Sequence, residues 1–181
     1  MAQVRMAREA DIEAVSAIRV RGWQAAYDGI VPRSYLDAMT VEDDVARRRR
    51  MFARPRPNSA NLVAVGADGP VGWVSCGPDR SAAPGTAEGE GESEGGGEAE
   101  VYALYVAPEL LGQGIGGDLL IQAHLWLKTS GFDTSTLWVL RDNRRARRFY
   151  ERAGYRADGA TQADVYDAVT LEELRYRRAL V

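Results

Sequence analysis

The stretch from Glu100 to Asp118, E-V-Y-A-L-Y-V-A-P-E-L-L-G-Q-G-I-G-G-D, decides how this chain is read. Val101 to Val106 is an apolar run that stops at Pro108. Four glycines then fall within six residues, at Gly112, Gly114, Gly116 and Gly117. Leu119, Leu120, Ala123 and Leu127 follow at helical spacing. The pattern predicts a strand, a tight glycine turn and a helix. Glycine leaves main-chain N–H groups unshielded. A helix start adds N–H groups without partners and a partial positive charge. Together they make a seat for phosphate.

Rival readings of the glycines differ in their surroundings. Gly112, Gly114 and Gly117 fit the dinucleotide pattern G-x-G-x-x-G. In that fold the first glycine follows its strand almost directly, whereas Ala107 to Leu111 intervene here. The acid expected after the next strand would be Asp142, which comes late. No lysine follows the glycines, so the nucleotide-triphosphate loop is absent. A helix start that merely needs small residues is the plainest alternative.

A second stretch, Asn143 to Tyr155, reads N-R-R-A-R-R-F-Y-E-R-A-G-Y. With the glycine turn it resembles the GNAT superfamily of N-acetyltransferases. The family's acyl-CoA loop is Arg or Gln, two residues, Gly, any residue, then Gly or Ala; its glycines align with Gly114 and Gly116. Leu111 stands where Arg or Gln is usual. The second stretch is similar to the family's N-x-x-A-x-x-F-Y-E-x-x-G-F, with Tyr155 for the last Phe. The resemblance covers nearly the whole chain and is poorest in motifs over the N-terminal third.

Composition bounds the rest. At 181 residues the chain is predicted to be one domain, residues 1–181, and an apolar fraction of 45% supports a core. A net charge of −3 gives no general attraction to nucleic acid or an acidic membrane. The single Cys76 excludes an internal disulfide and a Cys-rich zinc site, and the single His124 excludes a multi-histidine metal site. No apolar run approaches a membrane span, and the N-terminus lacks a signal-peptide core, so the expectation is a cytoplasmic protein.

Along the chain, Gln3 to Met6 reads as a strand. Asp11 reads as the N-cap of a helix reaching about Tyr27, with Ile12, Val15, Ile18 and Val20 as its apolar stripe. A short helix carrying Tyr35 follows. Thr40 caps another, with Asp43 completing a loose capping box. That helix carries Arg47 to Arg50, read as a solvated face rather than a phosphate patch. Asn61–Gly66 and Val71–Cys76 form a hairpin. Residues 77–99, rich in Gly and Glu, cannot bury much apolar area and read as a flexible acidic insertion. A helix runs from about Gly114 to Thr129 and a strand from Thr134 to Leu140. Asn143 caps the last helix, on which Phe149 and Tyr150 point about 100° apart, one to the core and one to a cleft. Tyr155 to Ala157 is a short strand. Leu171 to Leu180 suits strand or helix, and the resemblance favours strand. The fold class is α/β. The resemblance makes it a GNAT-like mixed, mostly antiparallel sheet of six or seven strands, flanked by about four helices and splayed between Val101–Val106 and Thr134–Leu140.

The resemblance implies acetyl-CoA as acyl donor and a primary amine of a small molecule or protein N-terminus as acceptor. It assigns the diphosphate to Gly112, Gln113, Gly114, Ile115, Gly116 and Gly117, and the pantetheine arm to Leu104, Tyr105 and Val106. Asn143 contacts the cofactor or positions substrate. Tyr150 matches the tyrosine that protonates the leaving sulfur, a phenol that keeps its proton at neutral pH. Glu100 is the candidate base, because the position some relatives use instead is Trp138. Trp23 and Tyr27, with Tyr35, flank the acceptor. No metal, nucleic acid or membrane partner is implied, and a homodimer is allowed. The alternative in another class is a non-catalytic acyl-CoA-binding or sensor domain.

Overall fold

The computed structural model describes residues 2–80 and 97–181. In chain order the strands are β1 (Gln3–Met6), β2 (Ala60–Gly66), β3 (Gly69–Pro78), β4 (Gly97–Val106), β5 (Phe132–Leu140), β6 (Arg156–Tyr166) and β7 (Val169–Ala179). The α-helices among the described residues are α1 (Ile12–Ala26), α2 (Arg33–Asp37), α3 (Val41–Ala53), α4 (Ile115–Thr129) and α5 (Arg144–Arg152). The strands form one sheet in the order β1-β2-β3-β4-β5-β7-β6. Among the described residues only the β4–β5 pair is parallel. The expected mixed, mostly antiparallel sheet is present, and the strand reading of Leu171–Leu180 holds, since β7 pairs with both β5 and β6.

Side chains alternate between the two faces along β2, and Leu62, Val63 and Ala64 are all buried because both faces are covered. Leu62 and Ala64 join the core under α4, with Leu119, Leu120, Ala123 and Leu127. Val63 turns to the other face, where Val15 of α1 and Trp73 enclose it. On that face α1 lies close to β4: a Cβ at Gly22 would stand 2.8 Å from Tyr105 Cδ1. Cys76 is fully buried in the α4 core, and burial pushes its thiol up to about 12. It is packing rather than a nucleophile.

The two faces meet at a split. The β4–β5 ladder runs from Gly97↔Phe132 to Glu100↔Thr136 and stops. Beyond it, Leu137 to Leu140 pair with β7, and Val101 to Val106 keep β3 alone. Among the described residues, that edge of β4 has no strand partner.

Several local expectations are corrected. Asp11 is the N-cap residue of α1 as expected, but its carboxylate makes no cap bond to that helix; it accepts the Arg8 N–H at 2.8 Å and pairs with Arg5. Thr40 does cap α3, accepting the Asp43 N–H at 3.2 Å. The Arg47–Arg50 run is not wholly a solvated face. Arg48 is 9% exposed, binds Asp44 at 2.6 Å and lies 3.9 Å from the Trp73 ring centroid. Asp44 also holds Arg19 and Arg47, tying α3 to α1. Of the short strand expected at Tyr155–Ala157, Arg156 and Ala157 open β6, whose length is sustained by pairing with β7. Strand occupies both ends of the stretch read as an insertion, through Pro78 and from Gly97; Asp79 and Arg80 follow β3, and residues 81–96 lie outside the described residues. Among the described residues no helix is long and apolar enough to cross a membrane.

Candidate active site

The split opens into a cleft of about 1090 Å³. Its floor is the free edge of β4, with Leu104, Tyr105 and Val106, facing Trp138 to Leu140 of β5. One end is closed by the glycine loop and α4, the other by aromatics of α1 and α2 and by the β6–β7 hairpin. Every residue singled out in the sequence for a site lines this cleft except Gln113.

Gly112 and Gly114 hold φ of +84° and +87°, a region costly for residues with a side chain. Gly114 ends the loop as the N-cap of α4, and its carbonyl accepts the first helical bond, from Asp118 at 3.1 Å. Among the described residues no side chain caps the helix. From Gly112 to Gly117, the main-chain N–H groups find no acceptor among the described residues. Donors left open at a helix start fit a diphosphate. Gly116 and Gly117 have ordinary φ, and a Cβ at Gly116 would meet Phe149 at an unstrained 3.5 Å. Protein packing therefore does not require glycine at Gly116. Leu111 is 39% exposed at the cleft and brings no charge. Positive charge comes instead from Arg145 and Arg152, which lie seven apart on α5 and line the same cleft.

Asn143 caps α5 through its carbonyl oxygen, which accepts the Ala146 N–H at 3.0 Å. Phe149 and Tyr150 do not divide between core and cleft as expected: both line the cleft and both pack against the core under α4. Burial raises the Tyr150 phenol, and nearby Tyr27 and Tyr155 add to the rise. Among the described residues nothing hydrogen-bonds its hydroxyl. Its ring packs edge-on against Tyr155 at 5.8 Å, whose hydroxyl meets His124 and Ser135, each at 2.7 Å. Burial lowers His124 to about 4, so it is neutral support for that ring.

Glu100 is 1% exposed and lines the cleft. Arg80 holds it, through its main-chain N–H at 3.1 Å and through its guanidinium on both carboxylate oxygens. Sequence reasoning missed this pairing, which spans twenty residues. It also missed Gln162, Asp164, Tyr166 and Glu173, brought to the cleft by the β6–β7 hairpin. Burial, then Asp164 and Glu100, raise Glu173, while Gln162 opposes the shift.

The sequence model of the Acetyltransferase (GNAT) family matches residues 23–155, a span that holds both the loop and α5. The chain belongs to the GNAT acetyltransferase family. It is an acyltransferase, and its relatives agree. It is 28% identical over 144 residues to the uncharacterized N-acetyltransferase YuaI of Bacillus subtilis, spanning 79% of this chain and 74% of that one. The acetyltransferase fold recurs in the PaiA N-acetyltransferase of Thermoplasma acidophilum in complex with coenzyme A. That match has 18% identity, a TM-score of 0.73 and 99% coverage of each chain. The ribosomal-protein-alanine N-acetyltransferase of Brucella melitensis gives 23% identity and a TM-score of 0.70, over 98% of this chain and 99% of that one.

Proposed function

We propose that this acetyltransferase moves an acetyl group from acetyl-CoA to a primary amine of a small molecule or a protein N-terminus. The observation that carries the reading is the row of open N–H groups from Gly112 to Gly117, continuous with the unpaired edge of β4. Those N–H groups bind the diphosphate, and Arg145 and Arg152 supply the charge that Leu111 does not. The pantetheine arm pairs with the main chain of Leu104 to Val106, as an added strand would. The thioester is thereby placed between Tyr150 and Glu100. The reading takes the protein to act in the cytoplasm.

In the reaction the amine nitrogen bonds to the thioester carbon and the carbon–sulfur bond breaks. One proton leaves the nitrogen and one reaches the sulfur. Glu100 accepts the first, directly or through water, after Arg80 gives up part of its hold. Tyr150 donates to the sulfur. Burial makes the phenol a reluctant acid, but the same burial disfavours a bare thiolate beside it. Tyr150 therefore works by hydrogen-bonding the sulfur as charge develops and passing the proton late. The test is thiol release from acetyl-CoA across a panel of amines, with mass analysis of products. Acetylated amine is the expected result; binding of acetyl-CoA without release above background for any amine would defeat the reading.

A further inference from the structure

The acceptor end of the cleft is an aromatic box with a carboxylate in it. Tyr35 and Tyr166 meet edge to face with centroids 5.1 Å apart. Trp23 lies 6.0 Å from Tyr166 and 4.6 Å from Tyr27. The Arg19 guanidinium already sits over Trp23, 5.4 Å from its centroid. Among the described residues no cation covers Tyr27, Tyr35 or Tyr166. Ring faces of this kind attract organic cations, more strongly where water is excluded.

Glu173 projects into the same space from β7. Gln162, its partner on β6, donates to one carboxylate oxygen at 2.5 Å. The other oxygen has no partner among the described residues. The charged groups around it are Asp164, Glu100 and Arg80. Arg80 is committed to Glu100, so the free charge at this end is negative. A carboxylate left partly desolvated beside aromatic rings that line the cleft and carry no cation suits an ammonium and repels an acidic ligand.

We propose that Glu173 and the box of Tyr27, Tyr35 and Tyr166 bind a second cationic group on the acceptor, which is therefore a diamine or longer small polycation. The inference rests on the acetyl-transfer reading for its chemistry and names that reaction's substrate class. One amine of the acceptor is acetylated near Tyr150 while the other, still protonated, is held by Glu173.

The test compares diaminobutane with butylamine and aminobutanoate, which keep the chain and change only the far end. For the wild type, kcat/KM for diaminobutane should exceed that for butylamine by about tenfold or more, with aminobutanoate lowest. Glu173→Gln should remove most of that advantage through KM, leaving butylamine within about twofold. Asp164→Asn, checked by thermal melting alongside it, should give a smaller loss of the same kind. Equal rates for diaminobutane and butylamine in the wild type, or an unchanged preference in Glu173→Gln, would overturn the inference. Calorimetric titration of diaminobutane and butylamine into the CoA-saturated protein gives a readout without turnover. Tighter diamine binding that is lost in Glu173→Gln supports the inference even if no amine is acetylated, a result that would count against acetyl transfer alone. Diamine binding no tighter than butylamine sinks the inference and leaves acetyl transfer standing.

Discussion

Gly116→Ala separates the ligand's need for space from the protein's. An added Cβ would stand 3.5 Å from Phe149 and 3.6 Å from Leu104, both ordinary contacts, and φ at this position is not positive. The residue is the second of α4, where alanine is the better helix former by up to about 1 kcal/mol. For a domain of this size that raises Tm by up to about 4 °C. Binding should move the other way. A methyl group over the helix start holds the diphosphate off its N–H donors. Losing one charge-assisted hydrogen bond costs about 1.5–3 kcal/mol. Affinity for acetyl-CoA should therefore fall about ten- to a hundredfold. Acetyl-pantetheine, which has no diphosphate, should bind wild type and variant alike. The assays are thermal melting and calorimetric titration of both donors. Unchanged acetyl-CoA affinity in a folded variant would refute the phosphate seat, and a large fall in Tm would refute the packing argument. Gly114→Ala is the contrast. At φ of +87° it should lower stability by about 1–2 kcal/mol, because the strain lies in the backbone itself.

Other expectations follow from the same geometry. Tyr150→Phe should cut kcat by about a hundredfold or more and leave acetyl-CoA affinity within about twofold, read by steady-state kinetics and titration; unchanged turnover removes the phenol from the chemistry. Burial holds folded His124 near 4, below its ordinary 6.5, so the unfolded chain binds a proton that the folded one refuses between those values. Stability should fall as pH drops through that window, by up to about 3 kcal/mol, and urea melts of His124→Gln should show a shallower slope than wild type. Glu173 has the opposite sense. Its folded value is raised, so stability falls as pH rises through the range above an ordinary carboxylate, and its charge at neutral pH is a standing cost. Glu173→Gln should melt higher than wild type at pH 7 and lose that margin in acid, while a lower melting point at pH 7 would contradict the desolvated position.

What could be read from the sequence was local. The glycines of 112–117 and the leucines of α4 carry their geometry in their spacing, and Asn143 announces a cap. The split sheet and the cleft followed from recognising those motifs together. What could not be read depends on distant partners. Arg48 looks like one of four surface arginines until Asp44 and Trp73 enclose it. Glu100 looks like a free base until Arg80 closes on it from the end of β3. Tyr166 and Glu173 sit in sequence that is mostly polar, and the β6–β7 pairing brings them to the cleft. Asp11 holds the N-cap position its place in the sequence suggests, but its carboxylate is taken up by Arg5.

The most direct test is a crystal structure with coenzyme A and an amine acceptor. The account predicts the diphosphate on the main-chain N–H groups of Gly112 to Gly117, the pantetheine arm along Leu104 to Val106, and the Tyr150 hydroxyl within about 3.5 Å of the sulfur. A cofactor bound elsewhere, or a sulfur beyond the reach of Tyr150, would contradict it.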